Sequence, residues 1–286
     1  MTPQFPPTGR PEIGATPYAR RDKIDLTSGQ NTAVDGITTT QGDSFMGKHP
    51  AKKTKQAPPL SAGRVRAGWQ GPAGTRIRLA QGQDLDAADA LMATTGDGVR
   101  ILPVLRAAIE DGSAASTMLA GLAGPKAYHD AASHAFTSRP RNEAMTTVCL
   151  TLVAADEQDR TVGVLSATAP GTVIDMAMNN GYTAEKALSL SLFIAKIHGL
   201  AVAENARGQG IAGALLKRAW QVHQQLGYFL LYGSYEAHRD LGAFYIRCGY
   251  TVHAPGETFP LDRVALPFRL GAGADQCMFT RWRPRH

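Results

Sequence analysis

The stretch that decides the fold is VAENARGQGIAG, which runs from Val202 to Gly213. It follows the apolar segment 188–202 and leads into a predicted helix that Gly227 ends. The apolar stripe of that helix consists of Ile211, Leu215, Ala219, Val222 and Leu226. The first amides of a helix have no intrahelical partner, the helix dipole is positive there, and glycines let a phosphate approach the backbone closely. The stretch therefore predicts an anion-binding loop between a strand and a helix, and a pyrophosphate fits it best.

One interpretation of this loop is a dinucleotide site. Gly208-x-Gly210-x-x-Gly213 matches the fingerprint G-x-G-x-x-G, and Glu236 lies roughly where an acidic ribose ligand is expected. The loop lies late in the chain, however, and the sequence after it is too short for repeated strand-helix units. Hydride chemistry is therefore the weaker interpretation.

The same loop, read from Arg207, gives Arg207-x-x-Gly210-x-Ala212, which resembles the Q/R-x-x-G-x-G/A motif of the GNAT superfamily of N-acetyltransferases. The segment LGAFYIRCGY at 241–250 is similar to the family's FY-x-x-x-G-F pattern, and the resemblance spans roughly residues 75–283. It implies an α/β fold with a mixed, mostly antiparallel sheet flanked by helices. It also implies transfer of an acetyl group from acetyl-CoA to a primary amine of a small molecule or peptide by direct attack.

The resemblance further implies a set of cofactor contacts. Leu200, Ala201 and Val202 would offer backbone groups to the pantetheine arm of acetyl-CoA, as a partner strand would. The pyrophosphate would be held at Arg207, Gly208, Gln209, Gly210, Ile211, Ala212 and Gly213. His238 stands where the family often has an asparagine, seven residues before the tyrosine, and is assigned to the same site. Acetyl-CoA is expected as a co-substrate, without a metal.

Attack by an amine requires removal of a proton, because an amine with a pKa near 10.4 is neutral in only about 1 in 2,500 molecules at pH 7. His198 is the predicted base, since strand alternation would place it on the same face as Leu200 and Val202. Its spacing is similar to that of a catalytic histidine in arylalkylamine N-acetyltransferases. A packed histidine is the alternative interpretation, and Glu204 and Glu236 are alternative bases.

The departing thiolate requires a proton as well, and a phenol can donate one. Tyr245 occupies that place in the family pattern. The alternative is that Tyr245 is an ordinary core residue of an amphipathic helix. Cys248, one turn later, has no activating partner in the sequence and is interpreted as structural.

The positive charge of the chain is concentrated at its N-terminus. Residues 1–74 hold ten Lys or Arg against five Asp or Glu, and they lack periodic apolar residues. This composition predicts a disordered basic tail over residues 1–74 and a folded domain over residues 75–286. A solvated linker is the favoured role of the tail, with a weak attraction to nucleic acid as the alternative.

The periodicity of the remaining sequence predicts several elements. They are a strand at 76–80, a helix that Asp84 caps, a helix at 99–111, and a hairpin of strands at 146–154 and 161–168. The GNAT resemblance implies a further short strand at 228–232. Small-residue connections are predicted at 112–142. Acceptor-binding loops are predicted at 96–142, 169–187 and 254–275.

Compartment and partners are predicted mainly from what the sequence lacks. The three cysteines are widely spaced and form no C-x-x-C pair, and no apolar run reaches 18 residues. A cytoplasmic enzyme without membrane contact is expected, and the oligomeric state is left open. The alternative function is a non-catalytic, acyl-CoA-binding GNAT-like module whose tail recruits nucleic acid or protein.

Overall fold

The computed structural model describes residues 59–96 and 98–284. Its strands are β1 (Trp69–Gln70), β2 (Arg76–Leu79), β3 (Leu150–Ala155), β4 (Thr161–Thr168), β5 (Ile194–Val202), β6 (Leu230–Glu236), β7 (Thr251–Val252), β8 (Phe259–Pro260), β9 (Arg269–Leu270) and β10 (Gln276–Trp282). Its α-helices are α1 (Ala62–Ala67), α2 (Leu85–Ala93), α3 (Pro103–Glu110), α4 (Ser116–Gly121), α5 (Pro125–Ser138), α6 (Arg141–Thr146), α7 (Gly171–Asn179), α8 (Ala184–Ser189), α9 (Ile211–Gln225) and α10 (Gly242–Arg247).

Eight strands form one sheet in the order β1-β2-β3-β4-β5-β6-β10-β7. Every neighbouring pair is antiparallel except β5 and β6, which run parallel. The parallel pair requires a crossover, and α9 provides it between the two strands. A separate ribbon consists of β8 and β9. The predicted mixed, mostly antiparallel sheet flanked by helices is thus confirmed.

Helices cover both faces of the sheet because successive strand residues point to opposite sides. On one face, Leu215 of α9 packs in a cluster with Leu165 of β4. On the other face, Leu85 of α2 and Leu105 of α3 pack in a second cluster with Val164, the neighbour of Leu165 in β4. The strand β5 lies between these two layers.

The segments with a clear apolar period form helices and strands close to the predicted ones. The second strand of the predicted hairpin coincides with β4, and its first strand is β3, which begins at Leu150 rather than residue 146. The helix predicted at 99–111 is α3, with Pro103 in its first turn. The helix predicted after Asp84 is α2, although the Asp84 side chain does not cap it.

Asp84 instead forms a buried ion pair. Its carboxylate accepts hydrogen bonds from Arg78 at 2.6 Å, from the Gln81 amide at 2.8 Å and from the Thr161 hydroxyl at 2.8 Å. Burial disfavours the charged form, but these hydrogen bonds outweigh burial and lower the pKa of Asp84. The pair links β2 to the start of α2.

The prediction of small-residue connections at 112–142 is wrong. This region contains α4, α5 and the start of α6. In the other two predicted acceptor loops, α7 and α8 occupy most of 169–187, and the ribbon of β8 and β9 lies within 254–275. The helices α4 and α6 have six residues each, which is too few for a visible period. The fourteen-residue α5 buries only Tyr128, Ala132 and Ala135, so small residues conceal its apolar face. Small residues also serve close packing, since a Cβ on Gly121 would lie 2.5 Å from the Tyr128 ring.

The predicted boundary at residue 74 differs from the structure. Ser61 caps α1, whose Val65 is fully buried, and Trp69 of β1 is 3% exposed. The backbone of Leu60 also exchanges two hydrogen bonds of 2.7 Å with the Gln225 side chain at the end of α9. The packed chain therefore begins near residue 60, and the prediction of disorder for residues 1–58 lies outside the described residues.

Among the helices of the described segments, none is both long and apolar enough to cross a membrane.

Candidate active site

A cleft opens where β5 and β6 separate. The two strands pair at three positions, the last of which joins Lys196 to Tyr232. Beyond it β5 continues to Val202 and β6 continues to Glu236 without pairing to each other. The cleft that results has a volume of about 860 Å³. An edge of β5 is thus left with backbone groups that a ligand could use, as was predicted for Leu200, Ala201 and Val202.

Most of the predicted cofactor residues line this cleft. They are Leu200, Ala201, Val202, Arg207, Gly208, Gly210, Ile211, Ala212 and Gly213, together with the predicted acid Tyr245. Gln209, His198 and His238 are not among the lining residues. His238 is exposed, with 76% of its side chain accessible, and lies 3.7 Å from Glu236. The structure therefore gives no support to a cofactor contact by the His238 side chain.

The glycine loop adopts backbone angles that favour glycine. Gly208 has a φ of +77° and Gly210, which caps α9, has a φ of +81°. No side chain caps α9. Within the described residues, the amides of 208–213 donate to no acceptor. These donors and the positive end of the α9 dipole converge on the cleft and suit a phosphate.

The charge of the cleft is positive. Arg207, Arg239 and Arg247 line it, and no Asp or Glu is among the lining residues. Arg239 is held by Glu236 at 2.8 Å and reaches the carbonyl of Thr94 at 3.3 Å. An anionic ligand is therefore favoured over a cationic one in this cleft.

Tyr245 lies against a stack of aromatic rings. Its ring centroid is 3.8 Å from that of Phe279, with 14° between the planes, and 5.4 Å from that of Tyr235. The Tyr245 hydroxyl forms no hydrogen bond with any described residue, whereas its side chain lines the cleft. Burial, helped by Tyr235 and Cys248, raises the pKa of Tyr245 well above the ordinary value for a phenol. The hydroxyl is thus a neutral donor whose position is fixed by stacking.

His198 is displaced by a β-bulge. Ser166 of β4 pairs with Gly199 and Ala167 pairs with Ile197, so His198 is the additional residue in β5. Because of the bulge, the β5 residues that precede Gly199 point to the opposite faces of the sheet from those that a regular strand would give them. His198 turns toward the carbonyl of Arg100, 2.9 Å from its Nε2, on the side of α2, whereas Leu200 packs in the cluster on the α9 side. The prediction that His198 shares a face with Leu200 and Val202 is therefore wrong, because a regular strand was assumed.

The bulge still leaves His198 with a free basic nitrogen. A carbonyl can only accept, so Nε2 carries the proton and the lone pair lies on Nδ1. Burial and the nearby charge of Lys196 lower the pKa of His198, against the hydrogen bond to Arg100. The imidazole is consequently neutral near pH 7 and able to accept a proton.

The two alternative bases differ in their surroundings. Glu204 is exposed at the turn before Arg207. Glu236 is engaged by Arg239, and this hydrogen bond lowers the pKa of Glu236. A carboxylate that is held in its ionised form is a weak proton acceptor.

Sequence reasoning missed several lining residues, which are Thr94, Thr95, Ala206, Arg239, Leu241, Phe244 and Arg247. Arg239 lies just before the predicted segment 241–250 and Arg247 lies within it, and their charge is the signal that could have identified them. Thr94 and Thr95 lie at the end of α2. They are more than 100 residues away from Leu200 in sequence, and only the fold brings them close to it. Cys248 also lines the cleft, and burial raises its pKa, as expected for a structural thiol.

No curated protein sequence matches the chain. The chain is similar to nourseothricin acetyltransferase, with 15% identity and a TM-score of 0.31 over 48% of this chain and 66% of that protein, just under two thirds of its length. It is also similar to a GNAT superfamily phosphinothricin acetyltransferase from Sinorhizobium meliloti in complex with AcCoA, with 18% identity and a TM-score of 0.41 over 73% of this chain and 88% of that one. A third similar structure is a GNAT family acetyltransferase from Elizabethkingia anophelis with acetyl-CoA bound, with 14% identity and a TM-score of 0.31 over 49% of this chain and 79% of that one.

A family model identifies the central part of the chain directly. Residues 149–252 match the acetyltransferase (GNAT) domain. The matched region begins at β3, includes the separated strands and the glycine loop, and ends with β7, so it contains most of the cleft. Through these residues, the chain is similar to the GNAT family of acetyltransferases.

Proposed function

We propose that the protein transfers the acetyl group of acetyl-CoA to a primary amine of a small molecule or peptide. One observation carries the proposal: the gap between β5 and β6 continues into a loop of unpartnered amides at the start of α9. A long ligand with a peptide-like arm and a pyrophosphate fits such a continuous site. When bound, acetyl-CoA supplies a thioester whose carbonyl carbon an amine can attack.

The chain's own residues would bind the two ends of this ligand differently. The amides of Gly208 to Gly213 and the guanidinium of Arg207 hold the pyrophosphate, because they present donors and positive charge without a carboxylate nearby. The free edge of β5 at Leu200 and Val202 pairs with the amide groups of the pantetheine arm, as a neighbouring strand would. The thioester is then directed along β5 toward the bulge.

One proton movement and one hydrogen bond accompany the transfer. The attacking nitrogen forms a bond to the acetyl carbon and loses a proton to Nδ1 of His198, directly or through one water. The bond between that carbon and sulfur breaks, and the sulfur keeps the electron pair. The Tyr245 hydroxyl donates to this sulfur. Because burial raises the pKa of Tyr245, its main contribution is a hydrogen bond that stabilises the developing negative charge.

The proposal is tested by presenting the protein with acetyl-CoA and a panel of amines and peptide N-termini, and by measuring release of free CoA. Calorimetry with CoA is run in parallel. Release that depends on the amine supports acetyl transfer. CoA binding without release for any amine would instead favour the non-catalytic module.

A further inference from the structure

A line of polar side chains crosses the sheet beside the cleft. In register, Thr168 of β4 pairs with Lys196 of β5, Lys196 with Tyr232 of β6, Tyr232 with Thr280 of β10, and Thr280 with Thr251 of β7. Paired residues of neighbouring strands point to the same face of a sheet. The five side chains therefore lie in one row on one face, at the point where β5 and β6 begin to separate.

Two members of the row lack a partner. Among the described residues, Lys196 forms neither an ion pair nor a side-chain hydrogen bond, and its side chain is half-buried. The Tyr232 hydroxyl is fully buried without a hydrogen bond. Burial lowers the pKa of Lys196, and no neighbouring carboxylate counteracts this. A partly desolvated cation without a counter-ion costs stability, which calls for a compensating role.

The carboxylates around the row are already engaged. Glu236 accepts from Arg239 at 2.8 Å, and Glu257 lies 3.6 Å from His253, whose other nitrogen is 3.1 Å from the Thr280 hydroxyl. Asp89 lies 3.8 Å from Arg100 on the side of α2. The charged groups of the described elements near this face thus leave Lys196 without a partner.

Lys196 lies on the same strand as the proposed base His198, further from the cleft. Leu200 of the cleft pairs with Leu165, and Lys196 pairs with Thr168, three residues further along β4. At a strand rise of about 3.3 Å per residue, Lys196 therefore lies about 10 Å beyond Leu200, with His198 in the bulge between them. An acceptor whose amine is at His198 would therefore extend past it toward Lys196. The end of the acceptor remote from the amine would meet this cation.

We propose that Lys196 is the anion-binding group of the acceptor site, so that the preferred acceptor amine carries a carboxylate or another negatively charged group. The inference deepens the proposed acetyl transfer and rests on it for the identity of the acceptor. Attraction between the ammonium and the anion would orient the amine toward Nδ1 of His198. Lys196 would act as a positioning and specificity residue, not as an acid or base.

The first test measures occupancy of the site without requiring catalysis. The full-length protein with saturating CoA is labelled with traces of isotopic acetic anhydride, and each lysine is quantified by peptide mass spectrometry. The probes are the N-acetyl derivatives of glycine, 4-aminobutanoate and 6-aminohexanoate, each beside its primary amide, which has nearly the same shape without the charge. Lys217, exposed on α9, is the internal control.

At least one acid should reduce labelling of Lys196 by about five-fold or more at saturation, whereas its amide should change labelling by less than about two-fold. Labelling of Lys217 should not change. If no acid protects Lys196 more than its amide, the anion site is overturned, whether or not the protein acetylates amines.

The second test measures specificity with the corresponding free amines as acceptors. Lys196→Met should lower kcat/KM for the acids by about 10- to 100-fold, the loss of one charge-assisted contact, and leave the amides within about two-fold. Lys196→Arg should retain a preference for acids, and Lys217→Met should behave as the unaltered protein. An equal loss for acids and amides would overturn the proposal. Protection of Lys196 without acetylation of any amine would contradict only the proposed transfer.

Discussion

The ring of Tyr245 stacks on that of Phe279 with 3.8 Å between centroids, while the Tyr245 hydroxyl bonds to no described residue. The ring is therefore held by the core, and the hydroxyl can be removed without disturbing the stack. Tyr245→Phe should lower kcat by about 100-fold with little change in the KM for acetyl-CoA, since only the developing thiolate loses its donor. Steady-state kinetics of CoA release measures both constants.

Tyr250 provides a matched control for this change. It belongs to the same aromatic cluster, with its ring 6.0 Å from that of Tyr245, but its hydroxyl is buried without a partner. Tyr250→Phe should leave kcat unchanged and should not lower the melting temperature, because it removes an unsatisfied group. Near-normal turnover of Tyr245→Phe would show that the phenol is a core residue and that the thiolate leaves without its help.

Gly210→Asp should abolish binding of CoA while the fold persists. A Cβ at Gly210 would meet only Pro72, at 3.8 Å, so there is room for the side chain, but its charge would face the pyrophosphate. We expect CoA affinity to fall by about 100-fold or more, as measured by calorimetry.

Gly112→Asp controls for backbone strain, since Gly112 has a similar φ of +76° and open space around it, outside the cleft. Its CoA affinity should be normal. Undiminished CoA affinity in a folded Gly210→Asp protein would contradict the assignment of the loop, and competition by NAD would revive the dinucleotide interpretation.

His198→Gln should produce a deficit that depends on pH. Because burial lowers the pKa of His198, more of its imidazole is neutral at pH 6 to 7 than in a free histidine, and free amine is scarce there. We expect kcat/KM for the amine to fall by about 100-fold at pH 6 to 7 and the deficit to shrink toward pH 9, where neutral amine becomes abundant.

The control is His129→Gln, on the exposed side of α5, which should leave the profile unchanged. A deficit of constant size from pH 6 to pH 9 would show that His198 only positions the acceptor. Glu204 or a chain of waters would then be the better candidate for the base.

Two N-terminal truncations should differ sharply in their effect on the melting temperature. Deletion of residues 1–58 should leave the melting temperature and CoA affinity nearly unchanged, as the composition of that segment predicts. Deletion of residues 1–73 removes Val65 and Trp69 from the core and should lower the melting temperature by roughly 10 °C. Differential scanning calorimetry separates the two, and equal melting temperatures would show that α1 and β1 contribute little.

Asp84→Asn should destabilise the fold by about 3 kcal/mol, because it leaves the buried Arg78 with only the exposed Asp159 as a counter-ion. The pKa of Asp84 is lowered in the folded protein, so its contribution is complete above the unfolded pKa of about 3.9 and is lost as the pH falls through the lower folded value. Urea unfolding should show a larger difference between variant and parent at pH 7 than at pH 2.5.

The matched change is Asp86→Asn, whose carboxylate is largely exposed beside Arg106. It should cost less than about 0.5 kcal/mol at either pH. A similar small cost for Asp84→Asn would mean that the buried pair is replaceable.

The sequence was sufficient where structure depends on neighbours along the chain. The loop from Arg207 to Gly213 and the strand β4 are local patterns, and both lie where they were predicted. Sequence periodicity could not reveal the bulge at His198, because the insertion is defined by the register of β4 against β5. The short helices α4 and α6 were not predicted for a different reason, because six residues are too few to show a helical period.

The cleft residues that were missed depend on tertiary structure. Arg239 is oriented by Glu236 and by the carbonyl of Thr94, which lies 145 residues away in sequence. The contact with Glu236 is local, three residues away, but the contact with Thr94 depends on the fold and cannot be read from spacing. A site built from one continuous loop is therefore easier to predict than the walls that complete it.

The separation of β5 from β6 also has a mechanical consequence. Three residue pairs, from Ile194 with Leu230 to Lys196 with Tyr232, are the backbone ladder between the two parts of the sheet. The part made of β6, β10 and β7 should therefore fluctuate partly independently of the part that contains β4 and β5. A ligand that contacts both β5 and α10 would restrict the motion of one part relative to the other. Amide hydrogen exchange should therefore slow in β10, the strand next to β6 in the sheet.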